Sequence, residues 1–317
     1  MNLVFLDAST LDRRDIDFSQ LEKEGTLTLH PTTAPAETCS RVADAEVIIS
    51  NKVPVTAEVL DAAPRLRLVV SAATGVNQID LDACRDRKIG VANVAGYSTE
   101  SVAQHTFSLI LELATRTITY SSKVRQDWPA SPIFTRLDHP TFELAGKTLG
   151  IVGLGTIGRA VARIASAFGM KVIAYAREGS SADESIPRIR EGDFFSQADI
   201  VSLHCPLTPE TQHFMNAARI SAMKPGALLI NTSRGPLIED AALSDALRSG
   251  QLGGAGLDVL AVEPPPADHP LLEEGIPNLL ITPHTAWSTR EARSRLLEGI
   301  IANIRSYKAG ENLNRIV

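Results

Sequence analysis

The chain has 317 residues, 44% of them hydrophobic and 21% charged, a globular composition with length for about two domains. Its 37 acids against 31 Lys and Arg give a net charge of −6, which offers no positive field to a nucleic-acid backbone. No apolar run approaches the ~18 residues of a membrane span, no export signal is visible at the N-terminus, and Cys39, Cys84 and Cys205 are scattered without a CxxC, a pattern that suits a reducing cytoplasm and excludes a structural zinc site.

In chain order, apolar or β-branched runs at 3–6, 27–29, 47–50, 68–71 and 89–92 predict strands, and 57–63 and 81–87 predict short helices. Such alternation implies a parallel sheet covered on both faces. A long helix follows over 98–116, expected to cross between two lobes. Residues 119–146, with Trp128, Pro129, Pro132, Phe134 and Pro140, read as a largely irregular arm, of the kind that serves function or association. Trp128 and Phe134 fit either a core or a subunit interface, and the expected assembly is a homodimer. From 147 the alternation resumes, with strands at 148–152, 171–175, 199–203, 227–231, 254–259 and 278–282 and helices at 156–168, 216–222 and 239–249. Gly169 and Gly250 stand where helix C-caps belong, and a last helix over 289–307 returns the chain to the first lobe.

Residues 148–158, TLGIVGLGTIG, carry Gly153-x-Gly155-x-x-Gly158 between a predicted strand and a predicted helix. Glycines at these spacings permit a tight turn, close approach to a pyrophosphate and helix–strand packing, while the helix N-terminus supplies free N–H groups. The expected fold is therefore α/β, with two Rossmann-like lobes of parallel sheet joined by crossing helices. The first lobe is discontinuous, 1–99 with 288–317, and binds substrate; 100–287 binds the dinucleotide. At the end of the second strand of this motif an acid would bind the ribose of NAD, but the sequence reads Ala176-Arg177. That pair favours a 2′-phosphate, unless Arg177 is a solvated strand end. Glu178 is near enough in sequence to bind ribose and keep NAD tolerated, so dual use with NADPH ahead is expected.

Three more strands each end in a polar residue: LLINTSRG delivers Arg234, GLDV leads to Glu263 before a proline run, and LLITPH delivers His284. Arg suits bidentate recognition of a carboxylate, His suits proton transfer, and a carboxylate beside His sets its tautomer and favours its charged form. Together they would orient a 2-oxo acid, protonate its carbonyl and leave C2 open to hydride. His204 also ends a strand, and the PLTP after it suggests that its backbone lines the cofactor cleft; His30, His105, His139, His213 and His269 lack comparable partners in sequence and read as surface or satisfied core residues.

With these motifs the chain resembles the D-isomer-specific 2-hydroxyacid dehydrogenases over nearly its whole length. The resemblance is strongest to bacterial glycerate dehydrogenases, or hydroxypyruvate reductases. It runs from TGVN at 74–77 through GYSTESVAQH at 96–105, HCPLTPET at 204–211, MKPGALLINTSRG at 223–235 and EPPP at 263–266 to HTAW at 284–287. It implies that Arg234, Glu263 and His284 are catalytic, and that N–H groups of Thr74, Gly75 and Val76 hold the substrate carboxylate. It further implies that Thr156 and Ile157 approach the pyrophosphate, that Cys205 and Pro206 line the adenosine side, and that Thr232 and Asp258 position the carboxamide. Val102 and Thr211 complete the dinucleotide-binding set. Trp287 replaces a residue that is frequently small in the family, which points to a pocket for short substrates such as glyoxylate or hydroxypyruvate. Corepressors that sense a dinucleotide resemble the same family, and formate or phosphite dehydrogenases offer a further alternative. The chain's end soon after the return helix favours the enzyme.

Overall fold

The computed structural model describes residues 1–177 and 185–317. They fold as two compact units, one of Met1–Ser98 with Trp287–Val317, the other of Thr99–Ala286.

In the first unit β1 (Asn2–Phe5), β2 (Thr26–Leu29), β3 (Val47–Ser50), β4 (Leu68–Ser71) and β5 (Gly90–Ala92) form a parallel sheet in the order β2-β1-β3-β4-β5. Successive side chains of a strand point to opposite faces, and the interior divides accordingly. Leu3, Phe5, Val47, Ile49, Leu68 and Val70 pack on one face with Leu296, Ile300 and Ile304 of the last helix, Arg290–Lys308. Val4, Ile48, Val69 and Val91 pack on the other with Val59, Leu60 and Cys84. Each such fully buried aliphatic side chain contributes about 1.5–3 kcal/mol of burial.

In the second unit β6 (Thr148–Val152), β7 (Lys171–Tyr175), β8 (Arg188–Ile189), β9 (Ile200–Leu203), β10 (Ala227–Asn231), β11 (Leu252–Leu257) and β12 (Leu279–Ile281) form a parallel sheet in the order β12-β11-β10-β9-β6-β7-β8. One face is sealed by Phe194, Leu243 and Leu247 over Val201, Leu229 and Leu257. The other is covered by the helices Thr99–Thr115 and Thr156–Ala167. The helix Thr99–Thr115 sits close because β11 is glycine-rich: a Cβ at Gly254 would lie 2.8 Å from Leu113 Cδ2, and one at Gly256 2.9 Å from Leu109 Cβ.

The arm departs from the sequence expectation. Residues Thr117–Asp127 are helical, and only the stretch after them is irregular. None of the residues in that helix is buried, so it has no apolar stripe from which the pattern could be read. Nor are the arm's aromatics core residues: Trp128 is exposed and Phe134 is 89% exposed. No described helix is long and apolar enough to cross a membrane.

Candidate active site

The seven described strands of the second unit all run parallel, so their carboxyl ends share one edge, and the candidate residues of this unit fall on that edge or on the helices beside it. The chain leaves β6 towards β7 and β8 on one side and places β9 on the other. The resulting switch point opens a crevice at the carboxyl ends of β6 and β9, the usual ligand position in such sheets. Gly153 turns there with φ +100°, and a Cβ on it would lie 2.5 Å from the Cys205 nitrogen and the His204 carbonyl carbon. At Gly158 a Cβ would come 2.3 Å from the Gly153 oxygen, whereas at Gly155 it would meet nothing within 4 Å. Two glycines thus let backbone and helix close together, and the middle one leaves open space in front of the helix N-terminus. The amides of Thr156 and Ile157 head that helix, whose first turn holds no acid, so the loop fits a dinucleotide pyrophosphate.

On the flanks, Ala176 is tied to β8 by its amide on the Ile189 oxygen at 2.8 Å, and Arg177 is exposed without a partner among the described residues. Glu178 lies outside the described residues. Burial pushes the Cys205 thiol up to about 11 and lowers the His204 imidazole to about 4, so a neutral thiol and a neutral imidazole border the crevice. His204 Nε2 bonds Ser202 Oγ at 2.8 Å, and its Nδ1 is buried without a partner among the described residues. Thr211 Oγ1 donates to the Pro206 oxygen at 2.8 Å and accepts from the Thr208 amide at 2.7 Å, which closes the loop that presents Pro206. Val102 is buried; its oxygen accepts from Thr106 Oγ1 at 2.8 Å, and that hydroxyl lies 3.2 Å from Thr232 Oγ1.

Arg234, Glu263 and His284 follow β10, β11 and β12. His284 Nδ1 bonds Glu263 Oε2 at 2.6 Å, and Glu263 Oε1 accepts from the Leu260 amide at 3.1 Å. A carboxylate on Nδ1 leaves Nε2 as the nitrogen that can serve a substrate. Arg234 sits on a loop braced by buried Asn231, whose Nδ2 donates to the Arg234 oxygen at 2.8 Å and whose Oδ1 accepts from the Ser233 amide at 3.0 Å. A Cβ at Gly235 would lie 1.9 Å from the Leu260 carbonyl carbon, so the arginine loop runs in contact with the segment that leads to Glu263.

Asp258 is 1% exposed, and its carboxylate is taken up by the histidine segment. It accepts from Thr282 Oγ1 at 2.6 Å, the Thr285 amide at 2.9 Å and the Ala286 amide at 2.8 Å. Two partners of this network escape a reading of the sequence alone. Thr282 reads there only as part of a strand end, and His105 as one of the histidines without comparable partners. His105 Nε2 lies 2.9 Å from Thr282 Oγ1 and 3.4 Å from Asp258 Oδ1. The one available signal is that His105 closes the GYSTESVAQH motif at 96–105.

In the first unit, Thr74, Gly75 and Val76 follow β4. Their carbonyls are occupied at Thr74, which accepts from Asn93 Nδ2 at 2.6 Å, and at Gly75, which accepts from Ser71 Oγ at 2.7 Å. Their three amides donate to no described residue. Trp287 packs on the core of this unit with its ring edge-on to Tyr97, centroids 6.3 Å apart.

Fold and site together define a nicotinamide-dinucleotide oxidoreductase of the doubly wound α/β type. Residues 107–286 match the family described as D-isomer specific 2-hydroxyacid dehydrogenase, NAD binding domain. Over 320 residues the chain is 38% identical to a hydroxypyruvate reductase of Blautia hydrogenotrophica, with 99% of each chain covered. It is also 38% identical to a glycerate dehydrogenase of Methylorubrum extorquens, with 98% of each covered. A solved structure from Thermus thermophilus, 37% identical, aligns over the whole of both chains with a TM-score of 0.88. The chain belongs to the D-isomer-specific 2-hydroxyacid dehydrogenases, which use a nicotinamide dinucleotide to interconvert the CH–OH of a 2-hydroxy acid and the carbonyl of a 2-oxo acid.

Proposed function

We propose that the protein reduces a short 2-oxo acid, hydroxypyruvate or glyoxylate, to the D-2-hydroxy acid with NAD(P)H, and catalyses the reverse oxidation. The observation that carries this reading is the 2.6 Å bond between His284 Nδ1 and Glu263 Oε2 at adjacent strand ends. A bound reduced nicotinamide supplies the hydride that adds to C2. His284 donates the Nε2 proton to the carbonyl oxygen and takes it back during oxidation. Glu263 keeps the Nδ1 proton and so decides which nitrogen faces the substrate. Arg234 holds the carboxylate and carbonyl oxygens with its planar fork. The free amides of Thr74, Gly75 and Val76 are assigned to the substrate carboxylate, which gives 1–99 with 288–317 the substrate role and 100–287 the dinucleotide role.

Gly153, Gly155, Thr156, Ile157 and Gly158 take the pyrophosphate, with Cys205 and Pro206 on the adenosine side and Val102 and Thr211 completing the dinucleotide-binding set. Thr232 and the Asp258 strand end serve the carboxamide, although the bonds of the Asp258 carboxylate favour a bracing role. Ala176 neither binds a 2′-hydroxyl nor repels a 2′-phosphate, and Arg177, unpartnered among the described residues, supports use of both dinucleotides with NADPH ahead. Exposed Trp128, Ile133, Phe134 and Leu137 in the arm support a homodimer formed through residues 119–146. The cytoplasm is the assigned compartment.

The deciding experiment is His284→Ala. Turnover is expected to fall ~10²-fold or more while dinucleotide affinity is retained, and wild-type turnover in the variant would remove His284 from the mechanism. With the wild-type enzyme, hydroxypyruvate or glyoxylate should be reduced more efficiently than phenylpyruvate, and light scattering at micromolar concentration should give a dimer.

A further inference from the structure

We infer that His105 is a positioning residue for proton transfer at His284, acting through Thr282 and Asp258; this rests on the assignment of His284 as the acid. His284 has φ +52°, in the left-handed region that costs a side-chain-bearing residue roughly 1–2 kcal/mol. Such a conformation persists only where the surroundings over-determine it. Here the surroundings are Asp258: its backbone oxygen accepts the His284 amide at 2.8 Å, and its carboxylate takes the two amides that follow and the Thr282 hydroxyl that precedes. The residue that carries the imidazole is thus held from both sides by one buried group.

Thr282 has a single hydroxyl proton, and the 2.6 Å contact assigns it to Asp258 Oδ1. Its oxygen is then the acceptor at 2.9 Å for His105, which must carry a proton on Nε2. An alternative acceptor waits nearby, since the Leu257 oxygen lies 3.5 Å from the same hydroxyl. The nearer, charged carboxylate already draws the hydroxyl, and the His105 donor locks it there by filling the acceptor side of the same oxygen; without that donor the hydroxyl is freer to turn towards the Leu257 oxygen. When the hydroxyl turns away, the buried carboxylate loses a donor and the His284 segment loses one of its ties. The helix that bears His105 is itself seated on β11, with Leu109 against Gly256 one turn further on, so the donor is held by packing.

The test compares His105→Leu and Thr282→Val, which break the chain, with His105→Gln and Thr282→Ser, which keep a donor and a hydroxyl. Reduction of hydroxypyruvate by saturating dinucleotide is followed in H2O and D2O, with His284→Asn measured alongside. The Leu and Val variants should lose roughly tenfold in kcat, the scale of one net hydrogen bond, with KM and dinucleotide Kd within about twofold. Their solvent isotope effect on kcat should exceed that of the wild type, the Gln and Ser variants should recover most of the rate, and the Leu/Val double variant should be no worse than either single one. Wild-type kcat in both breaking variants, or no recovery in His105→Gln, would overturn the inference while an inactive His284→Asn leaves the acid assignment standing. Normal turnover in His284→Asn would instead overturn that assignment and this inference with it.

Discussion

Two buried aspartates, one in each unit, stand at the carboxyl edge of a parallel sheet and hold the loop after a neighbouring strand. Asp7, 4% exposed, accepts the amides of Asn51, Lys52 and Val53 at 2.6–3.3 Å. Burial raises its pKa above the usual carboxylate value, and the three N–H groups pull it back down. Asp258 accepts two amides as well, but adds a side-chain route through Thr282 to His105. The loops they serve differ in kind. Around Asp7 the neighbouring edge offers backbone amides at Thr74, Gly75 and Val76; around Asp258 it offers the side chains of Arg234, Glu263 and His284. Recognition of an anion by amides depends on backbone shape, so it tolerates changes of side chain, whereas proton transfer and a guanidinium fork do not.

The contrast can be broken at four places. The largest effect is expected for Asp258→Ala, which strands three buried or half-buried donors: turnover should fall ~10²-fold or more, with a stability loss of about 1–3 kcal/mol in denaturant unfolding. A merely twofold loss of turnover would show that the histidine segment holds its shape unaided. Next comes Arg234→Lys, which keeps charge and loses the fork; roughly tenfold lower kcat/KM for the 2-oxo acid is expected, with almost no activity in Arg234→Ala. Asp7→Ala should cost a similar 1–3 kcal/mol of stability but express itself as a several-fold higher KM with kcat nearly kept, and an equal fall in kcat would erase the distinction between the two edges. Thr74→Ala should be the mildest, within about twofold in kcat/KM, because its side chain makes only a 3.3 Å bond to the Val94 oxygen. A large effect there would mean that the hydroxyl, rather than the amide, meets the substrate.

Dinucleotide choice is a separate and smaller matter. A charge-assisted bond from Arg177 to a 2′-phosphate is worth up to ~1.5–3 kcal/mol and falls towards nothing when solvated. Arg177→Ala should therefore lower kcat/KM with NADPH by about tenfold at most, and Ala176→Asp should move the preference towards NADH. A wild-type enzyme that prefers NADH tenfold would refute the stated order.

Much of this is legible in the sequence because parallel strands buried on both faces read as apolar runs. Runs such as Leu68–Ser71 and Ala227–Asn231 emerge as β4 and β10 with the expected limits, and the spacing of Gly153, Gly155 and Gly158 between a strand-like run and a helical pattern marks their loop. The helix Thr117–Asp127 is not legible, since it buries no residue and so leaves no periodic trace. His105 is hidden for a different reason. Its partner Thr282 lies 177 positions away, and spacing within one helix carries no information about which strand end the helix will cover. The same holds for Asp258, whose three carboxylate donors all come from the segment after β12.

The glycine-rich face of β11 makes the helix Thr99–Thr115 a lever with almost no clearance. Leu109 rests on Gly256, and His105 projects from the same helix face one turn away. A single methyl added at Gly256 would have to push the helix outward, and that displacement would reach the 2.9 Å contact at Thr282 with little loss, because a helix is stiff over one turn. Substitutions on an interior strand, far from any reacting atom in the sequence, would then be read out as changes in turnover before they were noticed as changes in stability.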